Sequence, residues 1–169
     1  MAAALALAGC VSVAPATRST DAESFSGRLS VRIDANGNAS PRSFTAAFEL
    51  EGSATQGRLD LSTPLGSILA RARWSPESVV LATPRGDTAY PDLESLTHEV
   101  VGESLPVEAL FDWLRGRPWP GAPSRPAPAA RGFEQLGWSV DLARFDEDAL
   151  LIAHRARPPA VDVRIKLDR

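Results

Sequence analysis

Alternating apolar and polar positions run through the first half of the chain. Leu29, Val31 and Ile33, for example, are separated by polar residues, so their side chains point to one face of an extended strand. The same two-residue period, interrupted by short turns, predicts five strands, at 25–34, 44–50, 56–62, 68–74 and 78–83. Strands joined by such short turns pair with their neighbours in sequence, so we expect an antiparallel meander.

The period changes after residue 91. Leu93, Leu96 and Val100 have helical spacing and predict a helix over 92–101. A second helix is predicted to begin at Pro106, a residue that suits the first helical turn, and to end before Gly116.

The second half returns to strands after a proline-rich segment. Five prolines between residues 117 and 132 predict an extended loop without regular structure, and strands are expected at 133–145, 149–156 and 161–167. The predicted fold class is mainly β with inserted helices, in a single curved antiparallel sheet. A sheet whose apolar face is covered by only two helices either closes on itself or leaves an apolar concavity. Such a concavity suits a hydrophobic ligand.

The single cysteine of the chain, Cys10, follows a short apolar run. The run is too short to span a bilayer, which requires about 20 apolar residues. It ends in LAGC, which resembles the bacterial lipobox, where the signal is cut before a cysteine that carries acyl chains. We therefore expect a signal peptide at 1–9, a lipidated Cys10 with a flexible tether at 10–22, and one folded domain at 23–169. Because the run lacks an initial Lys or Arg, the true start is expected to lie further upstream. The alternative is a buried Cys10 in an N-terminal helix.

Composition excludes several classes of function. The chain has 169 residues, 18 basic and 21 acidic residues and a net charge of −3, without a basic block, which argues against a nucleic-acid partner. His98 and His154 have no neighbours at metal-ligand spacing, and no nucleophile elbow or phosphate-binding loop occurs. We therefore expect neither an enzyme nor a cofactor.

Five stretches carry a resemblance to a known family. They are GRLSV at 27–31, GRLDLSTPLGS at 57–67, LPV at 105–107 with Leu110 and WLRG at 113–116, and QLGWSV at 135–140. In order and spacing, together with the lipobox, they resemble the LolB family of outer-membrane lipoproteins, which receive other lipoproteins from the periplasmic carrier LolA. The proline-rich segment at 117–132 departs from the family pattern.

The resemblance implies both a fold and a function. The fold is a half-open barrel with a helical lid over an apolar cavity. The function is to accept lipoproteins from loaded LolA by their acyl chains and to insert them into the inner leaflet of the outer membrane. It implies a lipid-anchored protein that faces the periplasm, and neither nucleotide nor metal is involved. We also expect a monomer.

The family carries a protruding apolar residue in one turn, where it engages the membrane. Leu65, between Pro64 and Gly66, occupies the matching position here. The competing interpretation is that Leu65 folds back onto the core.

The implied cavity is expected to be lined by inward-facing strand residues and by one face of the second helix. The strand residues are Leu29, Val31, Phe44, Phe48, Leu59, Leu61, Leu81 and Trp138, and the helix residues are Leu110, Phe111, Trp113 and Leu114. For each residue taken singly, ordinary core packing is the simpler role. Arg28, Arg32 and Arg58 face the other way and are expected to be solvated, although a carrier could dock there.

Two other functions compete with the acceptor interpretation. A structural or assembly lipoprotein that binds a protein partner would have a filled interior and an exposed apolar patch. A lipid-anchored hydrolase would need a nucleophile with its acid and base in contact, and the sequence supplies no such constellation.

Overall fold

The computed structural model describes residues 23–37, 39–101, 104–127 and 131–169. The predicted signal peptide, the tether and Cys10 lie outside the described residues. No described helix is long and apolar enough to cross a membrane.

The described chain forms one antiparallel sheet with three short helices. The strands are β1 Glu23–Ile33, β2 Arg42–Gly52, β3 Gly57–Ser62, β4 Ile68–Ser75, β5 Ser78–Thr83, β6 Gly86–Tyr90, β7 Ser124–Pro126, β8 Gly132–Gln135, β9 Trp138–Asp141, β10 Leu150–Arg155 and β11 Val161–Leu167. The helices are α1 Leu93–Val101, α2 Val107–Trp113 and α3 Phe145–Asp148. The order across the sheet is β6-β5-β4-β3-β2-β1-β11-β10-β9-β8-β7.

The two halves of the sheet are joined by the pairing of β1 with β11. The register places Leu29 opposite Ile165 and Val31 opposite Val163, so the apolar faces of both halves form one inner surface. Gly27 allows the closest approach of these strands, because a Cβ there would lie 2.1 Å from the Lys166 carbonyl oxygen. The sheet is not closed, since β6 and β7 remain edges, and this agrees with the predicted half-open barrel.

One end of the barrel is filled by aromatic side chains. Phe111 of α2 packs edge-on against Phe25 of β1 and Trp74 of β4, with ring centroids 6.4 Å apart in both pairs. Phe25 lies near the start of β1 and Trp74 near the end of β4, so antiparallel pairing brings both to the same end. We call this the packed end.

The predicted strand over 133–145 is wrong in its extent. The segment forms the hairpin β8–β9 and then α3. Leu136 and Gly137 both have positive φ, at 53° and 79°, which is the backbone of a tight two-residue hairpin turn. Leucine rarely adopts that conformation, so the turn could not be predicted from the residue types.

Two further strands were not expected. β6 consists mostly of exposed residues, and an edge strand of this kind shows little hydrophobic alternation. β7 lies inside the segment predicted to lack regular structure. It ends at Pro126 and forms an edge of the sheet, the position at which a strand tolerates proline.

Asp60 is a nearly buried carboxylate on the outer face of the sheet. It accepts hydrogen bonds from Arg71 at 2.5 Å (Nε) and 2.6 Å (Nη2), and Arg58 Nε lies 3.7 Å from it. The hydrogen bond from Arg71 is the main reason why the pKa of Asp60 lies below its ordinary value of 3.8. Arg58 also pairs with Glu51 at 3.1 Å.

We predict that Asp60→Asn lowers the free energy of unfolding by about 1–2 kcal/mol at pH 7, since Arg71 is left without its charge partner and is only partly exposed. The wild-type carboxylate loses this contribution as the pH falls below 3.8 and towards its lower folded-state pKa. The difference between the two proteins in urea unfolding should therefore shrink progressively as the pH is lowered below 3.8. Asp34→Asn, which removes an exposed partner of Arg32, is the control and should change little at either pH. A difference that stays constant with pH would contradict the assignment.

Candidate functional site

A cavity of 140 Å³ lies between the inner face of the sheet and helices α1 and α2. Among the described residues that line it, none has an ionisable side chain and Thr97 is the one polar residue. The Thr97 hydroxyl is already engaged, because it donates to the Glu94 carbonyl oxygen at 3.0 Å and accepts from the Leu105 N–H at 3.1 Å. The cavity can therefore hold apolar groups, but these lining residues offer a buried polar group no free hydrogen-bond partner.

Most of the residues predicted to line a cavity do so. They are Leu29, Val31, Phe44, Leu59, Leu61, Leu81, Leu110, Trp113 and Trp138. Phe48, Phe111 and Leu114 lie elsewhere, in the packed core. Phe111 fills the packed end, Phe48 lies opposite Gly27 where two strands approach closely, and Leu114 is 2% exposed at the C-terminal cap of α2.

The sequence interpretation missed a large part of the wall. From strands β4, β10 and β11, from the helices and from the segment between α1 and α2 come Ala70, Ala72, Trp74, Leu93, Leu96, Leu105, Val107, Leu151, Ala153, Val163 and Ile165. The alternation over 161–167 was visible and marks Val163 and Ile165 as one face. The alternation does not show that β11 pairs with β1, and it is this pairing that brings the face into the cavity.

The exposed apolar side chains concentrate at the end opposite the packed end. Antiparallel pairing places the turns β1–β2, β3–β4, β5–β6, β8–β9 and β10–β11 together there, and we call this the open end. Among the described residues the exposed large apolar side chains are Phe44, Leu65, Ile68, Leu69, Val100 and Leu136. All but Val100 lie in or beside these turns, and Val100 and Phe44 also line the cavity. Phe44 and Val100 therefore mark the mouth of the cavity.

Leu65 stands clear of the rest of the molecule, with 95% of its surface exposed. Its turn is held by internal hydrogen bonds, from the Thr63 N–H to the Ser67 carbonyl oxygen at 2.9 Å and from the Gly66 N–H to the Thr63 carbonyl oxygen at 2.9 Å. Gly66 adopts a φ of 84°, which a residue with a side chain rarely adopts. Leu65 does not fold back onto the core, and Pro64 and Gly66 flank it as the sequence indicated.

A bulge extends the apolar surface beside Leu65. Leu61 pairs with Ala70 and Ser62 with Ile68, which leaves Leu69 as an extra residue in β4. Ile68 and Leu69 are 46% and 44% exposed as a result.

The lid is fastened at the C-terminal end of α2. Arg115 donates to Glu23 at 2.7 Å and to Asp112 at 2.9 Å, and Arg117 donates to Asp112 at 2.8 Å. The volume under the lid is close to that of an engineered cavity of about 150 Å³ that admits benzene. A long acyl chain is several times larger than this volume.

Gln135 ties the proline-rich segment to the lid. Its side-chain oxygen accepts from Trp113 Nε1 and from the Trp119 N–H, both at 2.9 Å. Its side-chain nitrogen donates to the carbonyl oxygens of Trp119 at 2.7 Å and Ala122 at 2.8 Å. All four hydrogen bonds of a buried amide are thereby made, and this residue was not singled out from the sequence.

Comparison with known proteins identifies the family. The family model described as outer membrane lipoprotein LolB matches residues 22–168. The chain belongs to the LolB family. An outer-membrane lipoprotein LolB of Bordetella petrii is 34% identical over 162 residues, which cover 90% of this chain and 81% of the relative. That of Chromobacterium violaceum is 37% identical, over 86% of this chain and 79% of the relative.

Family membership confirms the resemblance drawn from the sequence and the outer-membrane, lipid-anchored location. A LolB-family chain from Cupriavidus pinatubonensis, 33% identical over 94% of this chain, extends the match across nearly the whole length. No group of three or more His, Cys, Asp or Glu side chains among the described residues could hold a metal ion.

We predict that Gln135→Leu lowers the free energy of unfolding by about 3 kcal/mol, because buried polar groups of Trp113, Trp119 and Ala122 lose their partner. Urea unfolding measures the change. Glu134→Gln, on the adjacent position, removes only an exposed ion pair with Arg125 and is the matched control. Equal stability of the two variants would show that the network contributes little.

We predict that Ala70→Phe weakens binding of a fluorescent fatty acid by about tenfold, since the ring would occupy part of the cavity. Ala47→Phe introduces the same ring on the outer face, where Ala47 pairs with Arg28 and Ser62, and should leave the affinity unchanged. Fluorescence titration of both variants gives the comparison, and equal affinities would place the fatty acid outside this cavity.

Proposed function

We propose that this protein accepts lipoproteins from the periplasmic carrier LolA by their acyl chains and inserts them into the inner leaflet of the outer membrane. The observation that supports it best is the apolar cavity whose mouth, at Phe44 and Val100, opens at the end from which Leu65 protrudes. The proposal includes a monomeric receptor, anchored by acyl chains on Cys10.

The energetics of acyl chains explain why such a receptor is needed. Burial of each CH₂ group is worth about 0.8 kcal/mol, so a lipoprotein with several long chains cannot cross an aqueous compartment uncovered. The open form of the receptor has to bind these chains more favourably than the carrier does. A difference of a few kcal/mol in binding free energy shifts the transfer equilibrium by orders of magnitude. The bilayer is the final acceptor, and no nucleotide or metal is required.

The lid accounts for the small volume of the free cavity. An empty apolar cavity large enough for several acyl chains would be costly, because the atoms that line it would lack packing partners. Helices α1 and α2 therefore close onto the sheet in the absence of cargo. We propose that cargo displaces them and takes over their apolar contacts.

Leu65 is proposed to enter the membrane during release. A leucine held away from the core by an internally bonded turn gains apolar contact only from something outside the chain. Insertion of its side chain would hold the mouth against the leaflet that receives the cargo.

The alternative, a structural lipoprotein that binds a protein partner, is supported by the same exposed apolar side chains at the open end. The unfilled cavity favours the acceptor function, because a purely structural sheet would bury these faces against each other.

The direct test mixes the full chain carrying Cys10→Ser, which cannot be lipidated, with LolA loaded with a lipoprotein. Pull-down of each protein shows where the lipoprotein resides. We expect it on this protein without any nucleotide. Cargo that stays on a competent carrier from the same species would overturn the proposal and leave the structural alternative.

We predict that Leu65→Glu leaves cargo acceptance intact but reduces release into vesicles at least about tenfold, because a carboxylate cannot enter the bilayer. The measurement follows the lipoprotein from this protein into sedimenting vesicles. Leu65→Met keeps an apolar side chain and should release normally. Gln56→Glu adds the same charge to the β2–β3 turn at the packed end and should also release normally. Normal release by Leu65→Glu would exclude the proposed role.

A further inference from the structure

Three exposed arginines lie at the open end, where the mouth of the cavity is. Arg42 begins β2, Arg85 lies in the β5–β6 turn, and Arg157 follows β10 in the β10–β11 turn. None of the three makes an ion pair with another described residue. We call them the rim arginines.

The register places Arg42 on the inner side of the sheet. It lies two residues before Phe44 and opposite Ile33, so its side chain continues the face that lines the cavity. At this end the inner face therefore changes from apolar to cationic. Arg155 follows the same pattern two residues after Ala153, and its guanidinium lies 5.6 Å from the centre of a Trp138 ring.

Arg157 lies beside a second apolar group of the open end. It lines a surface cleft together with Leu136 and Trp138, with Leu105 and Pro106 just before α2, and with the acidic residues Glu94 of α1 and Glu108 of α2. The cleft and the cavity share Leu105, Pro106 and Trp138 as their common wall. Arg157 is thus next to the mouth.

Acidic groups also lie near the rim. Asp34 pairs with Arg32 at 3.3 Å and Asp162 with His154 at 2.9 Å, whereas Asp87 in β6 and the two glutamates that share the cleft with Arg157, Glu94 and Glu108, have no ion pair among the described residues. Away from the mouth, the loop between β9 and β10 carries Asp146, Glu147 and Asp148. The protein as a whole has a net charge of −3, and the rim arginines are cations at the open end that no described carboxylate holds in an ion pair.

A protruding leucine at the same end of the barrel as three arginines without ion pairs has the chemistry of a surface that binds a bilayer with anionic headgroups. The apolar side chain enters the acyl region and the guanidinium groups bind phosphate at the level of the headgroups. Each basic residue near an anionic membrane strengthens binding by about fivefold. Because the protein has a net charge of −3, these arginines also favour the orientation in which the mouth faces such a membrane.

We propose that Arg42, Arg85 and Arg157 bind the phosphate groups of anionic phospholipids and hold the cavity mouth against the leaflet. This inference rests on the proposed function, because delivery of cargo is the reason for docking at the membrane. The docking itself can be measured without cargo.

The experiment compares vesicle binding by three forms of the full chain, each with Cys10→Ser so that no lipid anchor contributes. The rim variant carries Arg42→Gln, Arg85→Gln and Arg157→Gln. The matched control carries Arg28→Gln, Arg73→Gln and Arg164→Gln, which remove the same charge from exposed positions on the outer face of the sheet that also make no ion pair with a described residue. The vesicles are phosphatidylcholine alone, or with about a quarter phosphatidylglycerol.

We expect the parent and the control to bind phosphatidylglycerol vesicles alike and the rim variant to bind them about 100-fold more weakly. Binding by the parent should also weaken as salt is raised from about 0.1 M to about 1 M, where the Debye length falls from about 10 Å to about 3 Å. Thermal unfolding of all three forms checks that the fold is kept.

Three results would overturn the inference. They are unchanged binding by the rim variant, an equal loss in the outer-face control, and salt-insensitive binding by the parent. Cargo acceptance from LolA, measured in solution for the same three proteins, separates this inference from the proposed function. A rim variant that binds vesicles normally but no longer accepts cargo would show that the arginines act on the cargo. This result would also overturn the inference. A parent that accepts no cargo would overturn the proposed function alone.

Discussion

The antiparallel pairing of β1 with β11 is the contact on which the rest of this molecule depends. It joins a meander from the N-terminal half to a second group of strands from the C-terminal half. Because Leu29 faces Ile165 and Val31 faces Val163 across this junction, two separate apolar faces become one concave surface. Without the junction each half would expose its own apolar face, and there would be no enclosed cavity for the helices to cover.

The barrel that results has two unlike ends. At the packed end, Phe25, Trp74 and Phe111 fill the space between the sheet and α2, and Arg115 fastens the lid to Glu23. At the open end the inner face reaches solvent through Phe44, next to a turn that holds Leu65 outward. β1 begins at the packed end, which is the end opposite the mouth.

Much of the fold could be predicted from the sequence because it depends on local periodicity. The strands over residues 23–83 and the helices α1 and α2 lie close to their predicted positions, since alternation and helical spacing are properties of neighbouring residues. The errors fall where the local signal was weak or misleading. Leu136 occupies a turn position that favours glycine or asparagine, β6 is an exposed edge strand, and β7 includes proline.

The sequence by itself determined which side chains share a face and which residue stands at the tip of the β3–β4 turn, because both follow from order along the chain. The division of the apolar residues between cavity and core was decided only by tertiary structure. Phe48, Phe111 and Leu114 are as apolar as Leu59 or Leu110, yet they are buried by close packing, while the latter face an unfilled space. The grouping of Arg42, Arg85 and Arg157 at the open end likewise depends on strand pairing between distant segments, which no local pattern encodes.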